Sequence, residues 1–493
     1  MLVSDEHRAT AIAEMRATES KNININEREG PLNSGPLSMY SNEKPVTGMI
    51  KHPNHKSVSR LAPLSRRYLY RTGFIIFVLL WLRPLPSFGQ PSLGGYFKLF
   101  YHINANAPHP YDRLGSRLQL IFTQTLGNRA ALFTAVDFNF EETSVTGLAD
   151  ESRAKGMEIY PVESYIDLYF PFFDLRLGKQ FIFWGKADWI NPTDNINPWD
   201  YKNIAAEIED YRIPIMAARL NVYAGGWNLE GVFIPRFQPH KIPIQVPAQM
   251  GPFPVQARPP ALPENKLANA EWAFRISHQL LGVDYSVSYF RGFQKWPDIV
   301  VFPRLNAFQV PVALIWQEQY HPIQIFGGDF ITTRGAWAFK GEGAYFLTRD
   351  RSGTNVFLEN PHLQYVLGVD YNVSADVTLT LQFSRLQRLR YNKSREQLAW
   401  QQLGNPVPRV PEALETSLST RIFYQVFPYT SVQVIGVLNW KDRDFFLLPI
   451  LNHELADGLQ IYGGGTIFQG PAESIFGRNK RYSRWFLEVK YSF

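Results

Sequence analysis

The residue types that could do chemistry in this chain gather between Arg176 and Arg212. Arg176, Lys179, Gln180, Asp188, Asn191, Asp194, Asn197, Asp200 and Arg212 supply charges and amides there, interleaved with Trp184, Trp189 and Trp199. Side chains of this kind hold and orient polar solutes through hydrogen bonds. Breaking bonds needs a nucleophile, a matched acid and base, or a metal. None of these is spelled out. The ten histidines are scattered, and His321, His362 and His453 fall in or beside alternating segments, where a polar lining role suffices. No spacing suggests Ser–His or Asp–His catalysis, and no zinc-protease pair, phosphate-cradling loop or dinucleotide fingerprint occurs. Cysteine is absent, which removes thiolate metal sites and Cys nucleophiles. The sequence assigns no catalytic residue, metal or cofactor, and implies a protein that is not an enzyme.

Two tetrapeptides of the form Asn-Pro-x-Asp, at 191–194 and 197–200, punctuate this span. Proline fixes φ while Asn and Asp bond back to the local backbone, so both read as rigid turns. They follow a strand-like stretch, Leu177 to Gly185, and open a loop expected over 186–213. Long ordered loops are often functional. Left at the surface, this one would expose Trp184, Trp189, Ile190 and Trp199, so it is expected to fold inward.

The rest of the chain from about residue 90 shows what must position such a loop. Segments of about ten residues alternate with period two, the mark of strands. Leu132, Thr134, Val136, Phe138 and Phe140 alternate with Phe133, Ala135, Asp137 and Asn139. Val162, Ser164, Ile166, Leu168 and Phe170 alternate with Glu163, Tyr165, Asp167 and Tyr169. A β-sandwich would alternate too, but the links here are asymmetric. Tight ones at 126–129, 171–173, 224–226, 280–282, 373–376 and 428–431 take turns with long ones near 141–157, 186–213, 239–266, 292–319, 348–361, 390–415 and 469–481. Transmembrane barrels do this, with short turns at one end and long loops at the other. Mean hydropathy is only −0.21 with 15% aromatics, which excludes a helical bundle and suits a wall whose apolar face is hidden by alternation. The fold class is all-β: a transmembrane antiparallel up-and-down barrel of about 18 strands, or 16 if the pair over 431–454 does not hold.

The end of the chain is the clearest sign. Trp485, Leu487, Val489, Tyr491 and Phe493 share one face, against Glu488, Lys490 and Ser492 on the other. A terminal Phe preceded by apolar residues at every second position resembles the signal read by the barrel-assembly machinery. This strand is expected to pair with the first, near Tyr96 to Tyr101, and close the wall.

Ahead of the barrel, Arg66, Arg67 and Arg71 precede the apolar run Phe74 to Leu82 and a turn-prone stretch ending at Gly89. The run is about half a membrane span, so 66–89 reads as a secretory signal cut after Gly89. Residues 1–65 are polar and aperiodic, a disordered extension or a start assigned too early. The net charge of +6 is mostly the leader's: 12 Lys and Arg against 7 Asp and Glu before residue 90 leave 38 against 37 after it. Nucleic acid as a partner loses its support.

By parity the lumen receives Arg117, Asp137, Glu163, Asp167, Arg176, Arg219, Glu230, Arg236, Arg275, Asp284, Lys340, Glu342, Asp370, Arg421 and Glu488. Both signs appear, without a one-sign ladder. Arg385, Arg388, Arg390, Lys393 and Arg395 form a basic rim that could attract anionic solutes or lipopolysaccharide phosphate, or could simply be solvated.

The run Gly178-Lys-Gln180, then Trp184-Gly185, then the Asn-Pro-x-Asp loop, with the acidic–Arg–Pro stretch 207–214 behind it, resembles a family of porin-like outer-membrane proteins of largely unknown function, near the alginate-export barrels. The resemblance covers some 40 residues. It implies an outer-membrane channel of a Gram-negative bacterium, reached by Sec-type export. Small hydrophilic solutes would pass passively through a polar lumen narrowed by the loop. An export conduit for a polysaccharide is the second reading, and an anchor or adhesin with a closed lumen the third. Outer-membrane lipid and lipopolysaccharide would surround it.

Overall fold

In the computed structural model, residues 90–105, 113–143, 155–201, 211–242, 244, 246–402 and 411–493 are described. The expected signal peptide and the extension before it lie outside them, as do parts of several long links. The first strands are β1 (Ser92–Asn104), β2 (Arg113–Leu126), β3 (Ala130–Thr143), β4 (Lys155–Tyr169), β5 (Phe173–Gln180), β6 (Ile215–Ala224) and β7 (Trp227–Ile234). Then come β8 (Gln249–Met250), β9 (Phe253–Ala257), β10 (Glu271–Leu280), β11 (Val283–Phe293), β12 (Asp298–Leu305), β13 (Pro311–Gln319), β14 (Pro322–Arg334) and β15 (Trp337–Leu347). The last are β16 (His362–Asn372), β17 (Val377–Arg388), β18 (Leu414–Phe427), β19 (Thr430–Asn439), β20 (Asp444–Ala456), β21 (Leu459–Gln469) and β22 (Arg484–Ser492).

Eighteen of these form one closed antiparallel sheet in which each strand pairs with its barrel neighbours and β22 returns to β1. The seam pairs Tyr96 with Ser492 and Tyr101 with Leu487, in the stretch of the first strand expected from sequence. Closure leaves no strand edge, the condition for a sheet to sit in lipid. The outer face is apolar, with Trp485, Leu487, Tyr491, Leu367 and Leu381 all about half exposed. Such a surface belongs against hydrocarbon, and the protein is a transmembrane β-barrel.

The tight links are two-residue hairpins where the chain permits them. Between β6 and β7, Gly225 and Gly226 both take positive φ, 56° and 84°, as a hairpin turn matched to strand twist requires. Both ends of the barrel-forming chain lie at this short-link end, since Ser92 pairs with Thr123 near the β2–β3 turn.

Three features depart from the sequence expectation. Val162 was assigned with the outward-facing Ser164 and Ile166, yet it is 1% exposed and packs on Ala135 and Phe181. A β-bulge causes this: Ala135 pairs with Glu163 and Val136 with Pro161, so Val162 is the extra residue. Arg236 does not line the lumen. It lies beyond the end of β7, exposed in the following loop. The long links 239–266 and 292–319 are not plain loops either. They carry β8, β9, β12 and β13, a second sheet of order β12-β13-β9-β8. Met250, Val301, Leu314 and Trp316 form its apolar core together with Trp400 from helix α1 (Lys393–Gln402).

An inward loop as candidate constriction

Strand β5 stops at Gln180, five residues before the expected end, because side chains capture the next backbone donors. Phe181 N–H donates to the Glu163 carboxylate at 2.9 Å, and Ile182 N–H to Asn197 Oδ1 at 2.8 Å. The chain therefore leaves the ladder and turns into the barrel, and the connection runs over 181–214. The amide of Asn197 also donates to Ile213 O at 2.8 Å, so one fully buried side chain joins the outgoing and returning limbs. Gln180, equally buried, donates to Ala217 O at 3.0 Å.

The first limb packs on the wall. Ile182, Trp184 and Ile196 share an apolar cluster with Ile215 and Val232 of β6 and β7, Ala273 and Phe290 of β10 and β11, Ile325 of β14, and Ala344 of β15. Inward Trp184 is 3% exposed, as the sequence suggested. Burial of such a side chain contributes about 1.5–3 kcal/mol.

The turn itself is held by one carboxylate. Glu342 on β15 accepts the N–H groups of Lys186 (2.8 Å), Ala187 (3.0 Å) and Thr193 (2.7 Å) and the Thr193 hydroxyl (2.9 Å). Gly185 makes the approach feasible: its φ is 85°, and a Cβ there would collide with the Asn191 side chain and Glu342. Asn191 closes the turn, its amide donating to Trp184 O at 3.0 Å while its oxygen accepts Asp194 N–H at 3.0 Å. Next along the wall, Asp188 accepts from Lys340 at 2.5 Å and from Gln382 on β17 at 2.7 Å; Lys340 also meets Asp370 at 3.0 Å. Farther round, the Trp189 ring lies 6.0 Å from Phe446 on β20 and packs on that wall's apolar cluster. The loop thus touches the inside of the barrel from β6 to β20.

Asp194 and Arg212 form a buried ion pair at 2.5 Å. The guanidinium lies between two rings, 4.2 Å from the centre of Phe183 and 4.4 Å from that of Trp199. Trp199 and Arg212 also share a β-bridge, and Asp200 bridges Lys241. The arrangement can rigidify a constriction and present polar groups to a solute.

A protein-family model described as "Protein of unknown function (DUF1302)" matches residues 139–401, just over half of the chain, from β3 to α1. The chain is a DUF1302 protein. No curated protein matches this DUF1302 sequence. Among solved structures, OccK1 (OpdK) of Pseudomonas aeruginosa is similar at a TM-score of 0.51 and 11% identity, covering 82% of the DUF1302 chain and 98% of its own. OpdK of Pseudomonas aeruginosa with vanillate is similar at 0.50 and 10% identity, with the same coverage. At such identities the likeness is one of fold: a closed antiparallel β-barrel.

Of the site residues expected from sequence, Trp184, Asp188, Asn191, Asp194, Asn197, Asp200 and Arg212 come together in the DUF1302 loop. Lys179 and Arg176 stay on β5. Lys179 donates to Pro161 O at 2.8 Å, and Arg176 binds Asp167 bidentately at 2.6 and 2.8 Å over the Tyr165 ring. Elsewhere the lumen charges meet across strands: Arg219 with Glu230 at 2.7 Å, Arg113 with Glu141 at 2.9 Å, Lys98 with Glu488. The basic rim is not one cluster. Arg388 turns inward to Glu415 at 2.8 Å, Arg385 has the outward parity of Leu381 and Phe383, and Arg390 sits past the strand with φ 53°, donating to Arg351 O. The residues sequence reasoning missed as anchors are Glu342, Lys340 and Gln382. Parity had placed the first two in the lumen, but nothing local couples them to a loop some 150 positions earlier.

Proposed function

We propose that this protein is an outer-membrane channel through which small hydrophilic solutes pass passively, narrowed by the loop over 181–214. The observation that carries the proposal is the Glu342 anchor. A loop tied by four hydrogen bonds to the inner wall, and leaning on β17 and β20, is a fixed feature of a lumen rather than a surface loop. A pore of this kind selects by width and wall charge. The cross-strand pairing of opposite charges favours a weakly selective wall and offers no one-sign ladder for a charged polysaccharide, so the export reading takes second place. In this reading the leader directs Sec-type export. The face of Trp485, Leu487, Val489, Tyr491 and Phe493 serves recognition by the assembly machinery, and Arg385, with the outward parity of β17, is the residue offered to lipopolysaccharide phosphate.

Planar-bilayer recording on the purified full chain tests the channel. Discrete ohmic conductance steps are the expected result, and a silent, correctly folded barrel would sink the proposal.

A further inference from the structure

The rings around the constriction loop form a column. Phe181 stacks on Phe183 with centroids 6.0 Å apart and planes 26° from parallel. The Arg212 guanidinium fills the space between Phe183 and Trp199, at 4.2 and 4.4 Å from their centres. Trp199 stacks on Tyr201 at 6.5 Å and 27°, and Tyr201 on Trp296 at 5.0 Å and 28°. Five rings and one guanidinium thus follow one another, from the root of the loop to the link between β11 and β12.

The end of this column is open. Trp296 is 47% exposed, although one face lies on Tyr201 and the His240 ring meets it edge-on, 5.3 Å away at 62°. Nothing in the described residues stacks on its other face. The mount is rigid: His240 accepts the Trp199 backbone N–H at 2.8 Å through Nδ1, and the backbone N–H of His240 donates to Lys295 O at 3.1 Å. The flanking polar groups are already engaged, Lys295 with Glu271 at 3.4 Å and Gln294 with Glu359. What remains on offer is a flat, fixed, apolar face beside water, and the neighbouring Lys241 among the described residues is itself paired with Asp200 at 3.9 Å. Offset stacking on such a face is favourable, and a rigid ring loses little freedom in making it.

We infer that Trp296 is a capture platform at the long-link end of the barrel, on which small uncharged solutes with a flat ring face stack before they reach the constriction. The inference rests on the channel reading and names its solute class. The shared chemistry is the ring face, whether of an aromatic ring or of a pyranose.

The test is block of the ion current by solutes added to purified full-length protein in bilayers: phenol, maltose, and the open-chain polyol sorbitol as control. At least one ring solute is expected to interrupt the current at concentrations where sorbitol does not, and which one does so identifies the ring. Trp296→Ala is expected to raise the half-blocking concentration about two- to tenfold, the range of one aromatic stack, while Trp296→Phe retains most of the block. Ring solutes behaving like sorbitol, or a block untouched by Trp296→Ala, overturns the platform. A wild-type barrel that carries no current overturns the channel reading instead. The platform is then judged by equilibrium dialysis of phenol and maltose against the wild type and Trp296→Ala, equal retention by the two counting against it.

Discussion

Thr193 and Glu342 are 149 positions apart in sequence, yet both the N–H and the hydroxyl of Thr193 donate to the same Glu342 oxygen, at 2.7 and 2.9 Å. Hydrogen bonds to a charged acceptor contribute about 1.5–3 kcal/mol each. Glu342→Ala is therefore expected to free the turn without opening the wall, because β15 keeps its backbone ladder. Single-channel records should show a larger and noisier conductance than wild type. Glu342→Gln, which retains one acceptor oxygen, should fall between. Unchanged conductance in Glu342→Ala would mean that the loop does not narrow the path.

Asn197 is the joint at the root of the same loop. Removing its side chain leaves Ile182 N–H and Ile213 O buried without partners, at about 1–3 kcal/mol for each group. Asn197→Ala should make the loop susceptible to limited proteolysis while the heat-modifiable gel mobility of the barrel stays that of wild type. Simultaneous loss of both signals would place Asn197 in the wall's stability rather than in the loop's.

Arg212 is held by shape as much as by charge. Lysine keeps the charge opposite Asp194 but cannot lie flat between Phe183 and Trp199. Arg212→Lys is expected to cost about 1–2 kcal/mol of local stability, read as faster hydrogen exchange over 183–200. Exchange equal to wild type would show that the stacking contributes nothing.

Most of the wall was legible in the sequence because alternation and link length are local properties, and the count of about 18 strands follows from them. The bulge at Val162 was not, since one inserted residue inside an alternating run leaves apolar residues on both sides of it. The early end of β5 was hidden for a different reason. Phe181 to Trp184 have strand-like composition, and only the partners Glu163 and Asn197, distant along the chain, take their backbone donors away. Asn-Pro-x-Asp signalled turns and the tryptophans signalled burial, but Glu342 carries no local mark as an anchor. The sheet of β8, β9, β12 and β13 was masked by proline-rich surroundings that read as loop.

Helix α1 should respond to pH. Burial pushes the Glu396 carboxyl from an ordinary 4.5 up to about 7, with Asp350 adding to the rise and Arg395 and Arg388 opposing it. A group whose folded pKa is raised costs stability once it must ionise. The docking of α1 through Trp400 is therefore strongest below pH 4.5 and weakens as pH climbs through 7. Protease access to residues 393–402 should increase between pH 5 and pH 8, and Glu396→Gln should flatten that increase. A pH profile shared by the two proteins would discount the carboxyl.

On the outer face, Leu487→Arg should hinder insertion far more than a polar change on the opposite face of β22. A cation at mid-bilayer depth costs about 2–4 kcal/mol in such barrels. Yield of the heat-modifiable form in vesicles measures it, and a yield equal to wild type would mean that Leu487 does not face lipid.

The seam between β1 and β22 has a temporal meaning. Tyr96 cannot meet Ser492 until almost four hundred intervening residues have been supplied. Every other wall pairing joins strands that follow one another round the wall, with at most the inserted β8–β9 or β12–β13 pair between them, so these pairings close far shorter loops than the ring does. Joining the ends carries the largest loop-closure entropy of the wall pairings. A chain cut short anywhere before β22 would leave one side of β1 without its backbone partner. Completion of the circle thus depends on the last nine residues of the wall as much as on the first.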